Sequence, residues 1–135
     1  MLEMNHKLVS IITPSHNSEE YILMTIESVM SQTYPHWEWI IIDDGSKDKT
    51  RDIIQSIADK DNRIIFLKNE TSQGPAITRN RGIAAAKGTY MTFIDSDDVW
   101  YPNFLENMLA FMKFKKSSFS FASYERTNVD LVKIL

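Results

Sequence analysis

Apolar positions along the chain alternate between two rhythms. Leu8 to Thr13 is a short apolar run closed by Pro14, and behind it Ile22, Ile26, Val29 and Met30 recur at helical spacing, with Asn17 or Ser18 placed to cap that helix. Trp37 to Ile42 is β-branched and aromatic and stops at Asp43-Asp44-Gly45, after which Ile53, Ile54, Ile57 and Ala58 form a second helical stripe. Arg63 to Leu67 predicts a third strand. Pro75 opens a third helix that runs through Ala86 and is closed by Lys87-Gly88. Tyr90 to Ile94 predicts a fourth strand, Phe104, Leu105, Met108, Leu109 and Met112 share one face of a fourth helix, and Ser118 to Ser123 predicts a fifth strand. Trp37, Trp39 and the Met and Phe residues of the fourth helix are expected in the core.

Strands that are apolar almost throughout, alternating with helices, predict an α/β fold: a mostly parallel, Rossmann-like sheet flanked by helices. The four Gly and four Pro fall singly, and no repeat or linker composition interrupts the chain, so its 135 residues are expected to form a single domain.

In such sheets ligands bind beyond the carboxyl ends of the strands. The residues there are polar: Pro14-Ser15-His16-Asn17 after the first strand, Asp43-Asp44-Gly45-Ser46 after the second and Asp95-Ser96-Asp97-Asp98 after the fourth. Right-handed crossovers carry all three sets to one edge. Five carboxylates gathered there would repel one another unless a cation joined them. Carboxylate oxygens suit Mg²⁺ or Mn²⁺, which take one or two protein carboxylates and complete their shell with water and substrate phosphate. A phosphate-bearing ligand is therefore expected. The chain has neither a GxGxxG nor a GxxxxGKS loop, so the metal would bridge to the phosphates, with help from Arg79 or Arg81.

Each group also has a plainer reading. Asp and Ser after strands start turns and cap helices, and this account serves Asp43-Asp44-Gly45-Ser46 as well as a site does. His16 alone fits a turn, Asn17 a cap, and Arg79 and Arg81 solvated helix positions paired with nearby acids. Asp95-Ser96-Asp97-Asp98 is different, because three carboxylates in four residues directly follow apolar Phe93-Ile94. Lys113, Lys115 and Lys116 beside Phe111 and Phe114 read as a solvated helix end, with a peripheral contact to an anionic membrane surface as the second reading.

Charge and cysteine content narrow the class. Lys and Arg number 15 against 18 Asp and Glu, a net charge of −3, so no basic excess favours nucleic acid. With no Cys, disulfides, zinc-thiolate sites and thiol nucleophiles are excluded, and the chain suits a reducing compartment. Met1 to Lys7 is polar, and the apolar run behind it is too short for a secretory or membrane-spanning segment. A cytoplasmic location is expected.

The ordered segments "VSIITPSHNSEEYI", "SVMSQTYPHWEWIIIDDGSKDKT" and "ITRNRGIAAAKGTYMTFIDSDDVWYP" resemble the inverting family 2 glycosyltransferases of the GT-A fold, over more than a hundred residues. The resemblance implies transfer of a sugar from a nucleotide donor, most often a UDP-sugar, to a hydroxyl of a saccharide or lipid-linked acceptor, in cell-surface polysaccharide synthesis. It also implies site roles. Pro14, Ser15, His16 and Asn17 would face the nucleoside, with His16 where the family usually has Tyr, and Asp44 would hydrogen-bond the uracil ring. Asp95 and Asp97 fall in the DxD region, with Asp97 near the ribose and Asp97 and Asp98 at the Mn²⁺ or Mg²⁺. Arg79 would lie in the segment that closes over the donor. The family's general base comes from a later part of the domain, and neither Glu125 nor Asp130 sits in a matching motif. The chain therefore reads as the nucleotide-binding half, truncated on its C-terminal side, with the base beyond residue 135 and poor transfer on its own. A truncated sheet would also expose apolar surface and favour self-association.

Three other readings compete. A sugar-1-phosphate nucleotidyltransferase would show a Gly-rich, basic N-terminal loop that "TPSHNSEE" lacks. A phospho-acceptor receiver domain would carry its acidic pair after the first strand. A truncated nucleotide-binding module without transfer activity conflicts with no residue present.

Overall fold

The computed structural model describes residues 7–127. Four strands and four helices alternate: β1 (Val9–Ser15), α1 (Ile22–Met30), β2 (Trp37–Asp44), α2 (Thr50–Ala58), β3 (Ile64–Asn69), α3 (Pro75–Ala85), β4 (Tyr90–Phe93) and α4 (Phe104–Lys115). The strands form one parallel sheet in the order β3-β2-β1-β4. Register is set by the Ile runs, with Ile12 opposite Ile40 on one side and Phe93 on the other.

Alternation along the central strands sorts side chains onto two faces. Ile11, Trp39 and Ile41 join Ile22, Ile26 and Val29 of α1, Ile54 of α2 and Leu105 and Leu109 of α4 in the larger core. Ile12, Ile40 and Ile42 form the smaller one, with Ala85 at the end of α3. Both faces are therefore covered, which explains why β2 is buried along its whole length. Two of the buried polar contacts tie the central strands together: the Trp39 indole N–H donates to Thr13 Oγ1 at 2.8 Å, and Ser10 Oγ donates to Glu38 Oε1 at 2.6 Å.

Helix α3 lies very close to the sheet at Gly82. A Cβ there would sit 2.6 Å from Ile12 Cγ2 and 2.8 Å from Ile42 Cδ1. Gly82→Ala should therefore lose stability despite the better helix propensity of Ala. Overpacking typically costs about 1–3 kcal/mol and propensity returns about 1 kcal/mol, so a net loss of about 1 kcal/mol is expected in chemical denaturation. A more stable variant would contradict the close approach.

Several expected boundaries move. α1 begins at Ile22, not behind an Asn17 or Ser18 side-chain cap. Asn17 takes φ +46°, and the Ser18 carbonyl accepts the N–H groups of Tyr21 and Ile22 in a lead-in turn. β2 and β3 each run two residues past their apolar stretch, because Asp43 and Asp44 still pair with Lys68 and Asn69. Ser118 to Ser123 forms no strand: among the described residues the sheet pairs only the four strands above, and Phe119 and Phe121 are exposed. Phe111 and Phe114 are not core either. α4 buries the stripe that contains Leu105 and Leu109, and these two rings project from the rest of the helix surface.

Candidate functional site

The loop after β1 is fastened to the loop after β2 by a set of hydrogen bonds, three of them at His16 and Asn17. His16 Nδ1 lies 2.7 Å from the Asp44 carbonyl oxygen. A carbonyl only accepts, so this nitrogen carries the proton and the ring plane is set. Asn17 N–H donates to Ser46 Oγ at 2.8 Å, and Asn17 Oδ1 accepts the Lys47 N–H at 2.9 Å. The same loop reaches the one after β4, where the Ser18 and Ser96 hydroxyls lie 2.7 Å apart. Thr25 of α1 donates to the Asp98 carbonyl at 2.7 Å.

The five carboxylates divide into two groups. Asp43 is fully buried, and its Oδ2 accepts Arg51 Nε at 2.5 Å and the Ser46 N–H at 3.0 Å. It builds the turn. Gly45 follows at φ +74°, where a Cβ would also meet the Ser72 backbone nitrogen at 2.9 Å. Asp44 is buried too, and its two oxygens take four donors: Asn69 Nδ2 (2.8 Å) and Gln73 N–H (2.7 Å) on Oδ1, Ser72 Oγ–H (2.9 Å) and Gly74 N–H (3.0 Å) on Oδ2. Burial opposes its charge, but the four hydrogen bonds outweigh that effect and hold the carboxyl well below the usual carboxylate range.

The second group is Asp95, Asp97 and Asp98, all exposed, each offering an oxygen within 4.8 Å of the others'. Partial burial, then the charges of Asp97 and Asp95, push the Asp98 carboxyl above its ordinary value. Arg79 NH2 lies 3.8 Å from Asp95 Oδ1, a loose pair. Close-set, exposed carboxylate oxygens without a strong cationic partner are the hard donor set that Mg²⁺ and Mn²⁺ bind, so these residues fit such an ion.

A cleft of about 520 Å³ gathers these loops. It is lined by Pro14, Ser15, His16, Asn17, Asp44, Arg79, Asp95 and Asp97 among others. Asp98 joins the carboxylate cluster without lining the cleft. Arg81, the other cation considered for phosphate, instead donates to the Lys68 carbonyl (2.6 Å) and Asn69 Oδ1 (2.7 Å). The cleft also has a wall outside the three post-strand sets singled out from the sequence, made by Ser72 and Gly74 in the loop after β3 and Pro75 at the start of α3, with Ser18 and Tyr21 before α1. A Ser-Gln-Gly-Pro run just ahead of a helix was the available signal for the first part.

The chain is similar to known proteins over most of its length. It is 47% identical over 117 residues to TuaG of Bacillus subtilis (strain 168), a glycosyltransferase assigned to teichuronic acid biosynthesis, covering 87% of this chain and 46% of that protein. It is 46% identical over 118 residues to WfaP of Escherichia coli, a UDP-Glc:alpha-D-GlcNAc-diphosphoundecaprenol beta-1,3-glucosyltransferase, with the same two coverages. The chain thus spans about half the length of these curated relatives. Among solved structures, S. aureus TarS 1-349 in complex with UDP superposes with a TM-score of 0.73 at 33% identity, over 78% of this chain and 32% of that one. The family model described as glycosyl transferase family 2 matches residues 10–134, and the chain belongs to that family.

Proposed function

We propose that the cleft binds the nucleoside diphosphate of a UDP-sugar, and that the enzyme to which these residues contribute transfers the sugar, with inversion, to a lipid-linked saccharide hydroxyl in cell-surface polysaccharide synthesis. One observation carries the reading: His16, Asp44 and Arg79 line the same cleft as Asp95 and Asp97 of a three-carboxylate cluster. A base site with polar groups beside an acidic edge suits a ligand that is uncharged at one end and delivered with a cation at the other. The UDP bound to TarS and the diphosphoundecaprenol acceptor in the name of WfaP support the choice of donor and acceptor class.

In this reading the His16 ring, held by the Asp44 carbonyl, stacks beside the uracil. Asp44 accepts the imide N–H on Oδ2, and the Ser72 hydroxyl gives way. It is the donor best able to do so, since Gln73 and Gly74 donate from the backbone and Asn69 is buried. Asp97 and Asp98 hold the Mn²⁺ or Mg²⁺, and Arg79 adds a positive charge at the cleft wall. A bound ion supplies the Lewis acid that stabilises negative charge on the departing diphosphate. Inversion also needs a base on the far side of the sugar. Of the described carboxylates after Asp98, Glu106 accepts Thr33 Oγ1–H at 2.7 Å and Glu125 accepts the Tyr101 hydroxyl at 3.2 Å. We assign the base to neither, and place it beyond residue 135. No helix among the described residues is long and apolar enough to cross a membrane. A peripheral contact of this part of the enzyme with the inner membrane face is included in the proposal.

The test is transfer from radiolabelled UDP-sugars to an undecaprenyl-diphosphate-linked saccharide, by this chain and by a longer polypeptide containing it. Label should enter the lipid phase with the longer protein, as the anomer opposite to the donor's. This chain alone should be slower by at least the roughly 10²- to 10⁴-fold that a general base contributes. Retained anomeric configuration, or equal turnover by the two, would overturn the assignment.

A further inference from the structure

We infer that Asn69 and Arg81 are positioning residues that shape the wall of the cleft through the Asp44 carboxylate, a role that deepens the reading above and rests on it where nucleotide affinity is concerned. Asn69 ends β3 and is buried, and both ends of its side-chain amide are engaged. Arg81 NH1 donates to Asn69 Oδ1 at 2.7 Å and to the Lys68 carbonyl at 2.6 Å. A guanidinium only donates, so it fixes which way the amide faces. The Nδ2 group is thereby turned toward Asp44 Oδ1 (2.8 Å) and Thr78 Oγ1 (3.0 Å). The Asn69 carbonyl accepts Arg51 NH2 at 2.7 Å, and Arg51 also holds Asp43.

The chain of contacts therefore runs from α3 through β3 to the end of β2. It ends on the Ser72, Gln73 and Gly74 donors that Asp44 collects. Among the described residues, Asn69 is the one donor to the Asp44 carboxylate that lies outside that loop. Asp44 holds the loop, and Asn69 holds Asp44. A carboxylate at position 69 would reverse the contact, setting a like charge against Asp44 at hydrogen-bond distance. At the other end, removing the Arg81 guanidinium would free the Asn69 amide to rotate.

Native-state amide hydrogen exchange tests this without any ligand. In Asn69→Asp, Gln73 and Gly74 should exchange at least about tenfold faster than any change at Ile11, Ile40 and Ile41 accounts for, because the core amides report the global loss and the excess at Gln73 and Gly74 reports local opening. Arg81→Gln, at an exposed position, should give a smaller acceleration of the same two amides, and Arg81→Lys should restore part of it. Unchanged Gln73 and Gly74 exchange in Arg81→Gln and in folded Asn69→Asp would overturn the inference. Uridine diphosphate calorimetry on the same variants separates the two claims. Faster exchange together with several-fold weaker binding supports both. Faster exchange in a protein whose unsubstituted form binds no uridine diphosphate upholds the positioning role and refutes the nucleotide site.

Discussion

Asp44→Ala is expected to lower stability by about 3 kcal/mol and to remove measurable affinity for uridine diphosphate. The carboxylate satisfies four donors at once. Ser72 and Gln73 are exposed and can turn to water, whereas Asn69 is buried and Gly74 half-buried. A stranded buried donor costs about 1–3 kcal/mol, so two of them set the size of the loss. For a domain of this size that lowers the thermal midpoint by roughly 10 °C. Asp44→Asn keeps the shape and one acceptor oxygen and should lose about half as much. The pH dependence has a definite sign. A carboxyl held below its ordinary value stabilises the fold above about pH 4, and that contribution fades as acid protonates it in the folded state. The gap between wild-type and Asp44→Ala melting temperatures should therefore narrow steadily below about pH 4. A gap that stayed constant down to pH 2 would show that the four hydrogen bonds do not depend on the charge.

The second large effect concerns the acidic edge. With Asp95, Asp97 and Asp98 all offering oxygens within 4.8 Å of one another, a diphosphate approaching without a cation meets three negative charges. Each exposed like-charge contact at about 4 Å costs on the order of 1 kcal/mol even in water and more beside protein. Chelation should therefore weaken uridine diphosphate binding by about 100-fold, equivalent to about 2.8 kcal/mol. Asp98→Asn should weaken it about 10-fold in saturating Mn²⁺. Calorimetry with and without excess chelator measures both. Full affinity in chelator would shift the phosphate contact to Arg79.

Much of this architecture was legible in the residues because the core strands are apolar without interruption. Val9 to Thr13 and Trp37 to Ile42 could be buried on both faces only in a covered parallel sheet, and they are. The post-strand rule then found eight residues that share one cleft. What the strands could not reveal was how their polar ends are used. Asp43 and Asp44 are adjacent and chemically identical, yet alternation along β2 sends one to Arg51 and the other to the loop before α3. The choice depends on partners 8 and 29 residues away. Long-range pairing also decided the failures. Ser118 to Ser123 has strand-like alternation, but a strand exists only where a neighbouring edge supplies its hydrogen bonds. Phe111 and Phe114 are apolar without belonging to the stripe that α4 turns inward. The Gly-rich loop of a nucleotidyltransferase is absent and the acidic pair closes β2 instead of following β1, so neither of those competing readings fits.

Titration of uridine, cytidine, guanosine and adenosine diphosphates into the protein with Mn²⁺, followed by calorimetry, tests the central claim most directly. A cleft whose base end is built from His16 and the Asp44 carboxylate should bind the uridine compound at least about tenfold more tightly, since one specific hydrogen bond to a charged group is worth about 1.5–3 kcal/mol. Equal affinity for all four diphosphates, or no binding of any, would contradict it.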